Sequence, residues 1–196
     1  MKIFLAALLG ALAMFLWEFV AHMFTPLGEA GIRYLPKPEA VSSSLQSAIG
    51  DRAGMYMFPT GGVTDDSSKE EKTKAMERMM EEMKTKPSGL LVYKPAGTEF
   101  NFGKSLAVQF VTDSIKAFLA AWLLTRTRLV TFGSRVGFVF VAGVLAAVAT
   151  NILLWNWRGF NDTYMMANVL MEMAGFFFAG LAIAAVLKPM PPRVTA

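Results

Sequence analysis

Ionisable and amide side chains interrupt several long apolar stretches of this sequence, where they would be costly to bury in lipid. The set is Glu18, His22, Asp113, Lys116, Asn151, Asn168 and Glu172. Where two or more members fall in one stretch, they lie three or four residues apart. In a helix, these spacings place the side chains on one face. We therefore expect the set to point into a common interior and form a polar cluster.

A buried group of carboxylates, amides, one ammonium and one imidazole could serve three purposes. It could form an ion-paired network that fixes helix register, with Lys116 and His22 balancing the carboxylates. It could instead bind a ligand, proton or ion in a transporter or channel. It could also hold a metal in a membrane enzyme, but one His with scattered carboxylates lacks the clustered spacing of catalytic metal sites. The pattern favours the structural network and predicts no catalytic residue, metal or cofactor.

The apolar stretches themselves identify the class of protein. The chain has 196 residues, of which 54% are hydrophobic and 17% are charged, and it has no Cys. Stretches of about 20 apolar residues are typical of transmembrane helices. Four such spans are predicted, at about 3–24, 105–125, 136–157 and 164–187. Because the second span carries several polar residues, it would insert poorly alone, which predicts a packed bundle.

Short loops predict the orientation of this membrane protein. Residues 126–135 contain three arginines and no acid, whereas 155–164 contain one arginine offset by one aspartate. Basic residues prefer the cytoplasmic side, so the first loop is predicted to be cytoplasmic. Both termini are then cytoplasmic, in agreement with Lys2, Lys188 and Arg193. We expect an uncleaved N-terminal anchor in a cell membrane, the inner membrane in a Gram-negative bacterium.

The predicted domains are transmembrane helix 1 (1–24), an exoplasmic or periplasmic α+β cap (25–104), and transmembrane helices 2–4 with a cytoplasmic tail (105–196). Within the cap, the pattern predicts a helix ending at Gly50, a strand at 54–59, a helix at 67–86 and a strand at 89–95. The strands share a Gly, Tyr, Pro layout, which suggests that they pair. The fold class is thus an all-α bundle of four transmembrane helices with this small cap inserted between helices 1 and 2.

The second cap helix carries methionines at helical spacing. They are Met76, Met79, Met80 and Met83. Thioethers are soft ligands suited to Cu(I), but copper sites usually add His or Cys, and the cap has neither. The same spacing allows an amphipathic helix to bury one side against a sheet or a lipid surface. We therefore expect this face to be buried without a metal.

The segment GTEFNFGKS, 97–105, is similar to a phosphate-binding loop. However, five residues separate Gly97 from Gly103 where the pattern allows four, and no strand leads directly into the segment. The basic residues are scattered, without the aromatic-interleaved stripe of a nucleic-acid-binding surface. We expect neither nucleotide nor nucleic acid as a partner, and no enzymatic activity.

Small residues predict how the spans pack. Pairs four residues apart, which allow helices to approach closely, occur in three spans: Ala6 with Gly10, Gly143 with Ala147, and Gly180 with Ala184. At 1.5 Å per residue, Glu18 lies about 22 Å from the cytoplasmic start of its span and Asp113 about 12 Å below the outer surface. Every span is thus expected to bring a polar group to the outer half of the bilayer.

The order of one span, a large outer segment with short strands and three further spans is similar to that of claudin-like tetraspan proteins. The resemblance is one of layout alone, because the paired cysteines of that group's outer loop are missing and no motif aligns. The predicted function is that of an accessory, scaffolding or assembly subunit whose cap contacts a membrane or periplasmic protein. The alternative is a small transporter or ligand- or ion-binding protein that uses the polar cluster.

Overall fold

A computed structural model describes residues 1–187 of the chain. Lys188 and Arg193, which the orientation argument used, lie outside this range. The chain divides into two compact units. The bundle unit combines Met1–Ile32 with residues 101–187, and the insert unit is Arg33–Phe100. The segment 25–32, which sequence patterns assign to the cap, packs with the bundle unit.

Helices dominate the described residues. In chain order the elements are α1 (Lys2–Phe24), a 3-10 turn (Pro26–Glu29), α2 (Pro38–Ile49), β1 (Gly54–Phe58), α3 (Lys69–Met83), β2 (Gly89–Tyr93), α4 (Phe102–Thr125), α5 (Phe132–Ala147), a π-helical turn (Val148–Ile152), α6 (Leu153–Arg158) and α7 (Asp162–Val186). Because α5, the π-helical turn and α6 form one continuous helix, the bundle unit has four helices that are long and apolar enough to cross a membrane. The chain is a multi-pass membrane protein with four candidate spans.

The last three spans begin two to four residues before the predicted positions, because polar N-caps precede their apolar runs. The Asn101 side chain accepts from the backbone N–H of Lys104 at 2.8 Å and so starts α4. Asn161 caps α7 in the same way, at 2.9 Å from the N–H of Tyr164. Hydropathy detects the apolar run, whereas the helix begins at the cap outside it.

Small residues set the packing of the bundle. α7 packs against both α1 and α5, and α1 also packs against α4. The three predicted small-residue pairs are all buried, which confirms that they mark packing faces. A Cβ added to Gly10 would come within 2.9 Å of Ile183, and one added to Gly143 would come within 2.3 Å of Phe176. These helices are therefore closer together than any larger residue would allow.

The insert unit is built around a two-stranded sheet. β1 and β2 pair antiparallel, with Met55 opposite Val92, which confirms the predicted pairing. The Tyr93 hydroxyl donates to the Gln46 side chain and to the Gly50 carbonyl, each at 2.9 Å. Helix α2 is thereby attached to the sheet face that carries Tyr93, and it ends at Gly50 as predicted.

The prediction that the methionine face of α3 is buried is wrong for packing within the insert unit, where Met79 alone of the four is partly buried. Met76, Met80 and Met83 are about half exposed, and the buried residue of the helix is Ala75. The reason is a close approach of the preceding turn: a Cβ on Gly61 would lie 2.4 Å from the Ala75 carbonyl oxygen. The turn thus occupies the contact face of α3, and a two-stranded sheet is too small to cover the rest.

Candidate functional site

The ammonium group of Lys116 is the centre of a cluster that joins three spans. Its Nζ lies 2.9 Å from Asp113 Oδ1, one turn earlier in α4. The same nitrogen lies 3.5 Å from Glu18 Oε1 of α1 and 3.6 Å from Glu172 Oε1 of α7. One cation is therefore shared by three carboxylates from three helices.

Gln109 completes this arrangement, although sequence analysis did not include it. Its amide Nε2 donates to Glu18 Oε2 at 2.5 Å and approaches both oxygens of Asp113 at 3.1 and 3.2 Å. The signal was available, since Gln109, Asp113 and Lys116 follow one another at helical spacing on α4. We call Glu18, Gln109, Asp113, Lys116 and Glu172 the charged cluster.

The charged cluster is largely enclosed. The side chain of Asp113 is fully buried, whereas those of Lys116, Glu18 and Glu172 are 22%, 18% and 25% exposed. Beside it, the Trp17 indole N–H donates to the Met171 carbonyl at 2.9 Å and links α1 to α7. In the described part of the chain, every buried side-chain N or O atom has a hydrogen-bond partner.

The charges of the cluster do not balance. Three carboxylates face one ammonium, so the fully ionised cluster carries two more negative than positive charges. Excess charge is costly in an apolar environment. The cluster can reduce this cost by taking up a proton or a cation, or it can serve as an anionic contact for a basic group.

Three of the predicted cluster residues bond to their own helices instead. His22 is exposed, and its Nδ1 lies 2.9 Å from the Glu18 carbonyl oxygen. The Asn151 amide donates to the Ala147 carbonyl at 3.0 Å, and the Asn168 amide donates to the Tyr164 carbonyl at 2.8 Å. The expectation that the third span adds Asn151 to a common cluster is therefore corrected: its amide satisfies a carbonyl one turn earlier.

The third span is held to the bundle mainly by α7. Gly143 packs on Phe176, and the buried guanidinium of Arg135 donates to the Ala184 carbonyl at 3.4 Å. Arg135 was identified from sequence only as a loop charge that reports orientation. Arg135 lies in the first turn of α5, where the apolar run begins, and from there its guanidinium reaches a carbonyl of α7.

An open apolar groove lies between α5 and α7. It has a volume of about 460 Å³ and is lined by Phe132, Gly133, Val136, Gly137, Phe140, Phe177 and Leu181. We call it the α5–α7 groove. A Cβ added to Gly133 or Gly137 would meet no atom within 4 Å. Sequence analysis missed this pair, although its four-residue spacing is the same as that of the buried pairs.

Among residues 1–187, no three His, Cys, Asp or Glu side chains are grouped so that they could hold a metal ion. Comparisons with protein families, curated proteins and solved structures find no match. The bundle unit therefore presents two features for functional argument, the charged cluster and the α5–α7 groove.

Proposed function

We propose that this protein is an accessory or assembly subunit that binds another membrane protein. The observation that carries the proposal is the α5–α7 groove, an open apolar surface with two glycines along one helix. Small residues spaced in this way allow a second transmembrane helix to approach closely. The occupant that fits best is a membrane-spanning helix of a partner protein.

The use of glycine elsewhere in the bundle supports this interpretation. Gly10, Gly143, Gly175 and Gly180 each face side chains of a neighbouring helix at a distance that leaves little or no room for a larger residue. Gly133, in the first turn of α5, and Gly137, in its interior, have no such neighbour. Because glycine in a helix interior costs about 1 kcal/mol relative to alanine, Gly137 lowers stability without a compensating contact within the described chain.

The charged cluster has a supporting role in this proposal. By joining α1, α4 and α7 it fixes the register of the helix that forms one wall of the α5–α7 groove. Ion pairs and polar contacts that set register are a well-attested use of such groups. The insert unit provides a second contact with the partner, in keeping with exposed apolar residues such as Val92.

Filling the groove tests this function. Gly137→Leu adds a side chain in open space, so the protein should fold as well as the wild type. If a partner helix occupies the groove, the variant should lose its slower-migrating complex on native gels of gently solubilised host membranes. It should also reproduce the phenotype of deleting the protein. Val141→Leu, at an exposed position of the same helix outside the groove, is the matched control. An unchanged complex in Gly137→Leu would contradict the proposal.

The proposed orientation places the Arg126–Arg135 loop in the cytoplasm and the insert unit on the opposite side. The arginine-rich loop supports this orientation, since its described residues include no acid. Reporter fusions at Lys69 and at Arg128 should therefore report opposite sides, with Arg128 cytoplasmic. Reports from the same side would contradict both the orientation and the four-span topology.

The second candidate function is binding of a proton or cation by the charged cluster. The specific observation that favours it is the imbalance of three carboxylates against one ammonium. In this case the carboxylate of Glu18 would be essential for activity rather than for folding. Glu18 variants separate the two functions and are considered in the Discussion.

A further inference from the structure

The insert unit arranges four thioethers around one cavity. This cavity lies between β1 and α3 and has a volume of about 510 Å³. Met55 and Met57 line it from β1, and Met76 and Met79 line it from α3. We call these four side chains the thioether site. It belongs wholly to the insert unit and is independent of the α5–α7 groove.

The local structure explains why these side chains meet. In a strand, residues two apart project from the same face, so Met55 and Met57 share one face while Tyr56 points to the other. On α3, Met76 and Met79 are three residues apart and share a helix face. The Gly61 turn packs on Ala75, one residue before Met76. Two secondary-structure elements thus deliver two thioethers each.

Packing within the insert unit does not account for three of these methionines. Met55, Met57 and Met76 are 61%, 51% and 56% exposed, whereas Met79 is partly buried. A methionine that fills a core is buried, and exposing apolar side chains to water loses the stabilisation that burial supplies. The sulphur atoms of this site therefore remain available to a ligand.

Thioether chemistry identifies the class of ligand. Thioether sulphur is a soft donor that selects Cu(I) among biological metals. Unlike Cys or His, it has no proton to lose before it binds, and the unbranched Met side chain adapts its geometry easily. The insert unit has no Cys or His, so a copper site here has to be built from thioethers alone, unlike most copper sites.

We propose that Met55, Met57, Met76 and Met79 form a binding site for Cu(I). Each thioether is neutral, so the bound site keeps the single positive charge of the ion. The cavity lining also includes the ammonium of Lys72 and the carboxylate of Asp65, which is paired with Arg52 at 3.1 Å, so the affinity has to come from the thioethers. The site gives the insert unit a role in holding or passing a soft metal ion, whichever partner the bundle unit binds.

Equilibrium dialysis against Cu(I) that ascorbate keeps reduced tests the proposal on the full-length protein in detergent. Metal analysis of the retained protein measures bound copper without a competing chelator. We expect stoichiometric binding to the wild type. Replacing two of four thioethers should weaken binding at least about tenfold, in both Met76→Leu/Met79→Leu and Met55→Leu/Met57→Leu. Met80→Leu should bind like the wild type, because Met80 is 57% exposed but lies outside the cavity.

Several results would overturn the site. These are no copper bound by the wild type, an equal loss of copper binding in Met80→Leu, or a loss of copper binding in only one of the two double variants. Leucine is close to methionine in volume, and circular dichroism will show whether each variant folds. X-ray absorption of the copper-loaded wild type provides a test without substitutions: sulphur neighbours are expected, and a shell of nitrogen or oxygen alone would contradict the proposal. Saturation of the cavity by an apolar peptide without copper binding would also reject it.

Discussion

Helix α5 uses the same residue in two different ways along its length. At Gly143 the neighbouring helix is so close that an added Cβ would lie 2.3 Å from the Cβ of Phe176. At Gly137, six residues earlier, an added Cβ would meet nothing within 4 Å. The first glycine is needed by the fold, whereas the second is left open at the surface of the bundle. The difference shows that small-residue spacing indicates close approach without specifying whether the approaching helix belongs to the same chain.

Lysine and serine also occur both in contacts that stabilise the fold and at exposed positions without such contacts. Lys116 holds three carboxylates, while Lys104 on the same helix is exposed. Ser68 caps α3, while Ser43 lies exposed on α2. Each pair compares one residue type in two environments. A substitution should be costly at the first member of each pair and nearly neutral at the second.

The largest effect is expected at the two glycines. Gly143→Leu forces α5 and α7 apart, so we expect a loss of stability of at least about 3 kcal/mol, at the upper end of the usual cost of overpacking. Gly137→Leu should melt at or above the wild-type temperature, because leucine favours helix more than glycine does. Thermal unfolding in detergent measures both. Equal destabilisation by the two variants would contradict the distinction between the filled and the open positions.

The lysines should show the next largest difference. Lys116→Met removes the cation and leaves the carboxylates of Glu18, Asp113 and Glu172 without a countercharge. Removing one partner of a buried ion pair costs about 3 kcal/mol or more. Lys104→Met removes an exposed charge from the same helix and should change stability by less than about 0.5 kcal/mol. The midpoints of thermal unfolding in one detergent test this order, and a stable Lys116→Met variant would show that the cluster does not hold the helices together.

Glu18 separates the two candidate functions. Glu18→Leu deprives Gln109 and Lys116 of an acceptor and should cost about 1–3 kcal/mol. Glu18→Gln retains the shape and the hydrogen-bonding capacity of the side chain, so we expect the free energy of unfolding to fall by less than about 1 kcal/mol. The exposed Glu29→Gln substitution is the matched control. A Gln variant that melts normally but reproduces the deletion phenotype would favour the proton- or cation-binding function over the structural role of the cluster.

The smallest effect is expected at the N-terminus of α3. Ser68 and Glu71 form a capping box in which each side chain accepts from the other's backbone N–H. Ser68→Ala should destabilise the insert unit by about 1 kcal/mol, whereas Ser43→Ala, in the interior of α2, should change stability by at most about 0.5 kcal/mol, in the stabilising direction. Helix content, followed by circular dichroism during thermal unfolding, measures this difference. Equal unfolding curves for the two variants would show that the cap contributes no stability.

The same cap predicts a dependence on pH. The backbone N–H of Ser68 lowers the pKa of Glu71 below its ordinary value. Because the pKa is lower in the folded state, the stabilisation is present above the unfolded-state pKa and is lost as the pH falls through the lowered value. In Glu71→Gln, this part of the acid sensitivity should disappear.

Much of the fold follows from residue pattern. Hydropathy identified four spans, alternation identified the paired strands, and Gly50 was correctly placed at the end of α2. The starts of the last three spans were predicted two to four residues too late, because caps such as Asn101 lie outside the apolar run. The prediction that the insert unit buries the methionine face was wrong, because no sequence pattern showed that the turn at Gly61 would occupy the contact surface of α3.

The charged cluster could be predicted only in part. Polar residues at helical spacing within a span identified Asp113 and Lys116 as neighbours, and the structure places Glu18 and Glu172 against the same ammonium. Asn151 shows what spacing cannot decide: an amide in a span can bond to its own backbone as well as to another helix. The rotation of each helix about its axis depends on which helix it packs against. Small residues such as Gly143 mark a packing face in the sequence, but the sequence does not show which helix packs there.

The central claim is that the α5–α7 groove binds a helix of another protein. A photoreactive amino acid placed at position 137 tests it directly in living host cells, with position 141 on the same helix as the control. The account predicts a discrete protein adduct at 137 after irradiation, its loss when Gly133→Leu fills the neighbouring space, and no such adduct at 141. Equal labelling at both positions, or no protein adduct at 137, would contradict the account.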